Sequence, residues 1–196
     1  MEGKRGRGYM DRLLFLSKGD EVKLRVLHAV GRPIDELTVE ALCRKAGISK
    51  PTFYRHFDSK YDLARWASDF MCSITLDQIG RSLTWDEGLE SYFALGLSEL
   101  EPLRNVRSDA AEYERCCAYR AQRRFATIAE TLALHGVTVD ETMRSIIEGH
   151  VRMELHFSEE RLDPTRTRDV KEIVSIFKSF IPAALYNALA TPLDPQ

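Results

Sequence analysis

Long apolar runs are missing from this 196-residue chain, and nothing approaches the roughly 20 consecutive apolar residues needed to cross a bilayer. The opening MEGKRGRGYMDRLL also lacks the apolar core and small-residue cleavage site of a secretory signal, so the chain is expected to stay in the cytoplasm. Cysteine is scarce. Cys43, Cys72, Cys116 and Cys117 form no C-x-x-C spacing, and a reducing compartment disfavours structural disulfides, so they are expected as small core residues. The vicinal pair Cys116–Cys117 is poorly placed for an unstrained disulfide, which argues against a redox switch. Catalytic signatures are missing too: there is no P-loop, no Rossmann glycine pattern after a strand, no G-x-S-x-G elbow and no H-E-x-x-H. Neither an enzyme nor a cofactor is expected. His150, Glu154 and His156 lie close in sequence, but positions 150 and 156 point in different directions on a helix and no thiol accompanies them, so no metal is expected.

A strong excess of one charge is also lacking, since the formal net charge is −2. Its distribution is uneven. Residues 1–60 hold 13 Lys and Arg against 8 Asp and Glu, a surplus of +5, whereas residues 61–196 hold 15 against 22, a surplus of −7. Cations concentrated at one end suit a polyanion there, because counterion release needs positive charge where the phosphates lie. The first eight residues, with three glycines and three basic side chains, read as a solvated tail or an arm for a minor groove.

The basic end contains TVEALCRKAGISKPTFYRHFDSKYDL, residues 38–63. Thr38 is placed to cap a helix whose face carries Val39, Leu42, Cys43 and Ala46. Gly47 permits a left-handed turn, Ile48 returns to the core, and Ser49 caps a second helix running from Lys50 to Phe57 with Pro51 in its first turn. Phe53 and Phe57, four apart, anchor that helix inward and leave Lys50, Thr52, Tyr54, Arg55 and His56 outward with heads suited to phosphates and base edges. Upstream, Val22, Val26, Ala29 and Val30 make a supporting helix closed by Gly31 and Pro33; downstream, Ser59 and Asp62 cap the next. This is a helix-turn-helix reader.

The segment resembles the DNA-binding signature of the tetracycline-repressor family of bacterial regulators. Thr38, Val39, Leu42, Ala46, Gly47, Ile48, Ser49, Thr52, Phe53, Tyr54, Phe57, Lys60 and Leu63 carry the resemblance, which extends from about Asp20 to about Trp66. It implies double-stranded DNA as partner, with Thr38, Ser49, Lys50, Pro51, Thr52, Tyr54, Arg55, His56 and Lys60 as contact residues. Lys60 is then expected to add charge to a helix N-terminus that abuts a phosphate.

No strand pattern competes along the remainder, so the fold class is all-α, with residues 1–66 as the reader domain and 67–196 as a larger helical domain. Thr84 with Glu87 opens one helix, which Pro102 closes. A longer helix spans about Glu112 to His135, Thr138 with Glu141 opens the next, and Asp163 before Pro164 opens a last one reaching about Ala190. The final two carry apolar residues around more than one face. Ser145, Ile147, Gly149, Val174, Phe177 and Ile181 are therefore expected to form the seam of a four-helix homodimer. Polar groups interrupting apolar stripes suggest a small-molecule pocket bordered by Tyr92, Tyr113, Arg120, His150 and Glu154, with Phe93, Leu97, Cys117, Met153 and Phe157 as walls. Arg120 favours an anionic ligand there and Glu154 a cationic one. The expected function is a homodimeric DNA-binding repressor released by a small-molecule effector. A regulator without an effector, whose C-terminal domain docks a protein partner, is the alternative.

Overall fold

A computed structural model describes residues 17–98, 100–106, 110–160 and 168–193, and the side chains of these except at 96–98, 100–101 and 110–111. The N-terminal arm, Asp163, Pro164 and the side chain of Leu97 therefore lie outside the described residues. The fold is all-α. Its helices are α1 (Lys18–His28), α2 (Val39–Ala46), α3 (Lys50–Tyr54), α4 (Asp62–Ile74), α5 (Trp85–Ser98), α6 (Leu100–Asn105), α7 (Ala110–Leu134), α8 (Glu141–Glu160), α9 (Val170–Ser179) and α10 (Ala183–Ala188), with short 3-10 turns at Ile34–Glu36 and Leu76–Gln78. Among the described residues none of these helices is long and apolar enough to cross a membrane.

The chain divides into two compact units, one drawn from Met1–Phe70 and Glu99–Cys116 and the other from Met71–Ser98 and Cys117–Gln196. The division differs from a single cut after residue 66, because α6 belongs with the reader. Val106, just past α6, is buried in the same cluster as Val26, Val30, Leu42, Phe53 and Leu63, and the Asn105 amide reaches the Val30 carbonyl. Pro102 accordingly does not end a helix. It occupies the first turn of α6, where a missing N–H leaves no intrahelical bond unmade.

In the second unit α5 packs on α9 and α8 on α10, around Leu89, Phe93, Ile147, Phe177 and Leu185. The capping box is present at α5, where the Thr84 N–H donates to Glu87 (2.9 Å) and the Glu87 N–H donates to Thr84 (3.3 Å). The start of α8 departs from expectation. Asp140, not Thr138, receives the Met143 N–H (2.8 Å), since only Asp140 sits one residue before the first helical turn. The expected long last helix is also broken in two. Pro182 has no N–H to continue the ladder and disfavours helical backbone at Ile181, so α9 ends at Ser179 and α10 begins at Ala183.

Candidate nucleic-acid interface

The reader is built by its caps. Thr38 Oγ1 accepts the Ala41 N–H (3.1 Å) and starts α2, Gly47 ends it at φ +65°, and Ser49 Oγ accepts the Thr52 N–H (3.2 Å) to start α3. Phe53 and Phe57 are both buried with ring centroids 5.3 Å apart, as their spacing requires. Regular helix stops at Tyr54, and residues 55–57 continue as a turn in which the His56 and Phe57 N–H groups both reach the Phe53 carbonyl.

Packing Phe53 and Phe57 inward turns a polar face out. Tyr54 is 55% exposed, Lys50, Pro51 and Arg55 are exposed, and Thr52 is half-buried. These side chains are linked: Arg55 Nη2 donates to Thr52 Oγ1 (3.2 Å), and the Thr52 and Ser49 hydroxyls share a 2.9 Å hydrogen bond. Lys50 Nζ donates to Glu40 (3.2 Å), an acidic neighbour the sequence reading passed over, because only the crossing of α2 and α3 joins residues ten apart. His56 is half-buried, and a Cβ added at Gly19 would lie 3.6 Å from its ring, so it packs against the first turn of α1.

Lys60 departs from its expected role. An ammonium has three N–H donors, and Lys60 Nζ places them on the carbonyls of Ile34 (2.7 Å), Asp35 (3.1 Å) and Leu37 (2.8 Å). It ties the start of α4 to the 3-10 turn preceding Thr38, and has no donor left for a phosphate. Replacing Lys60 by Met is expected to destabilise the reader unit by about 2–3 kcal/mol, as charge-assisted hydrogen bonds to backbone are lost. The salt slope of DNA binding by the folded protein should not change. Urea unfolding followed at Trp66 in a Trp85→Phe background checks this; an unchanged midpoint with a shallower salt slope would return Lys60 to the phosphate.

In the second unit several expected pocket residues converge, but as a closed network. Arg124, 4% exposed, donates through Nε to both Glu154 oxygens (2.9 and 3.1 Å) and through Nη1 to Asp77 (3.1 Å). Asp77 also takes Arg123 Nη2 at 2.6 Å. Burial pulls the Arg124 guanidinium down, yet the Glu154 and Asp77 carboxylates outweigh it and hold the group above its ordinary value. Arg120 pairs with Glu159 (3.0 Å), and the Tyr92 hydroxyl bonds Ser158, which donates to the Glu154 carbonyl. Burial pushes the Cys72 thiol up to about 12, with Asp77 and Glu154 adding to it, so it stays protonated and inert.

Phe93 and Phe157 both pack on Phe177, whereas Cys117 and Met153 are only half-buried. Tyr113 leaves the set, because it belongs to the first unit. With Arg120 and Glu154 both engaged in ion pairs, neither sets a ligand's charge as expected. Asp77 and Arg124 were missed. Helical spacing does put Arg124 on one side with Cys117, Arg120, Ile128 and Thr131, but an apolar-stripe search passes over an arginine.

The seam residues are corrected as well. Ile147, Val174, Phe177 and Ile181 are buried within the protomer, while Ser145 and Gly149 face outward and a Cβ at Gly149 meets nothing within 4 Å. The buried apolar side chains of α8 and α9 pack with α5 and α10, an arrangement that sequence periodicity could not assign.

Residues 29–65 match the family model for bacterial regulatory proteins, tetR family. No curated protein and no solved structure matches the chain.

Proposed function

The chain belongs to the tetR family of bacterial regulatory proteins through its residues 29–65 and is a DNA-binding transcriptional regulator; from that premise we propose a homodimeric repressor, released from its operator by a small molecule bound in the second unit. One observation carries the reading. The outward face of α3 presents Lys50, Thr52, Tyr54 and Arg55 from a helix locked by the Ser49 cap and the buried Phe53, which is how a recognition helix offers donors to a major groove. Two such helices about 34–36 Å apart enter successive grooves of one duplex face, so a dimer is the active form. Its seam is assigned to outward positions of the second unit, Ser145 and Gly149 on α8 among them, where small side chains permit close approach. An effector releases the DNA to the extent that it binds the DNA-incompetent arrangement more tightly.

Duplexes selected from a random pool by the purified protein test the reading. The selected sites should be two-fold related with half-sites about one turn apart, and transcription from a promoter carrying one should fall on adding protein. A rise in transcription would make it an activator. Arg55→Ala should relax discrimination at one position per half-site by about 1–3 kcal/mol, since an arginine pairs two donors with guanine O6 and N7. An equal loss on selected and random DNA would move Arg55 to phosphate contact.

A further inference from the structure

His150 lies at the centre of the second unit with neither ring nitrogen hydrogen-bonded to the protein. It is 2% exposed, and both nitrogens are buried. The approach to Glu154 Oε2 is 3.7 Å, beyond hydrogen-bond range, because that carboxylate is drawn to Arg124. Aromatic rings enclose the imidazole instead: Trp85 and Phe177 each meet it edge-to-face at 5.7 Å, Tyr186 stacks on Trp85, and Phe93 and Phe157 pack on Phe177. Buried polar groups in folded proteins almost always have partners, so an exception calls for an explanation, a bound ligand among them.

We propose that His150 is the polar contact of a binding site for an uncharged aromatic compound bearing a hydroxyl or amide. The inference rests on the effector reading above and specifies its ligand. Three observations fix the class. Neutral imidazole offers a donor at one nitrogen and an acceptor at the other, and a hydroxyl or amide, itself donor and acceptor, pairs with whichever of them it reaches. The carboxylate beside the ring is already matched, Glu154 by Arg124, and Asp77 on the same guanidinium is matched by Arg123 and Arg124, so neither a cation nor an anion finds an unbalanced charge. The surrounding rings of Trp85, Phe93, Phe157 and Phe177 are the apolar, aromatic lining that small-molecule sites carry, and suit an apolar ring body. Burial keeps the imidazole neutral, its pKa lowered to about 4 despite Glu154, so the donor–acceptor pair is present at neutral pH.

Trp85 is a built-in reporter, and a Trp66→Phe background leaves it the only indole. Phenol, toluene, benzoate and benzylamine are matched in size and differ in charge and hydrogen bonding. Titrated without DNA at pH 7, phenol should change Trp85 emission saturably and bind on the order of tenfold tighter than toluene, as one buried hydrogen-bonding group predicts. Benzoate and benzylamine should not saturate. His150→Leu should keep the fold, bind toluene and lose the preference for phenol, whereas His150→Gln, which retains a donor and an acceptor, should keep part of it. No saturable response to phenol, or equal binding of benzoate, overturns the proposal. Phenol preference surviving in His150→Leu overturns it too. The effector reading fails separately: a compound that binds by Trp85 emission yet leaves operator affinity unchanged keeps the site and removes the release mechanism.

Discussion

Replacing Arg124 by methionine is expected to cost the second unit about 3–5 kcal/mol, the range for breaking a buried ion pair by removing one partner. The magnitude follows from what remains: Asp77 and Glu154 stay buried, and Glu154 loses the guanidinium that contacts both of its oxygens at 2.9 and 3.1 Å. Arg123 still reaches Asp77, so the larger share of the loss falls on Glu154. At roughly 4 °C per kcal/mol, the value where the ranges for domains of about 100 and about 150 residues meet, the transition seen by Trp85 should drop by about 12–20 °C. Replacing Asp77, Arg124 and Glu154 together by apolar residues of similar volume should recover most of it, since desolvating the ions offsets much of their attraction. A single variant as stable as the parent would mean that the three charges are not coupled.

Ile147→Asp is expected to unfold the second unit outright, with a loss above about 4 kcal/mol, because a carboxylate at a site with 0% exposure has neither water nor a cation. Gly149→Asp, two residues on, provides the contrast. A Cβ there meets nothing within 4 Å and the position is exposed, and leaving glycine favours the helix, so the protomer should keep its helical circular dichroism. If α8's outward face forms the dimer seam, Gly149→Asp should sediment as a folded monomer and lose operator affinity. Ile147→Asp that stays folded would show that Ile147 is not core, and a folded Gly149→Asp dimer would place the seam elsewhere.

The residues of the reader fixed their own local structure. Thr38, Gly47 and Ser49 each satisfy a backbone group within four residues, and Phe53 with Phe57 point one way because the Phe57 N–H bonds the Phe53 carbonyl one turn back, so caps, turn and exposed face are legible in a linear reading. Distances along the chain hid the rest. Lys60 reaches carbonyls 23–26 residues away, Lys50 meets Glu40 where two helices cross, and Arg124 gathers carboxylates 30 and 47 positions distant. Side-chain type alone marks lysine and arginine as surface groups. Which face of α8 and α9 is covered was likewise undetermined: both are amphipathic, and only the positions of α5 and α10 decide that Ile147 and Phe177 are interior while Gly149 faces out. Sequence set the caps, periods and breaks, because those energies are local; tertiary structure set which charges are neutralised and which apolar faces are covered, because those energies depend on what the fold brings alongside.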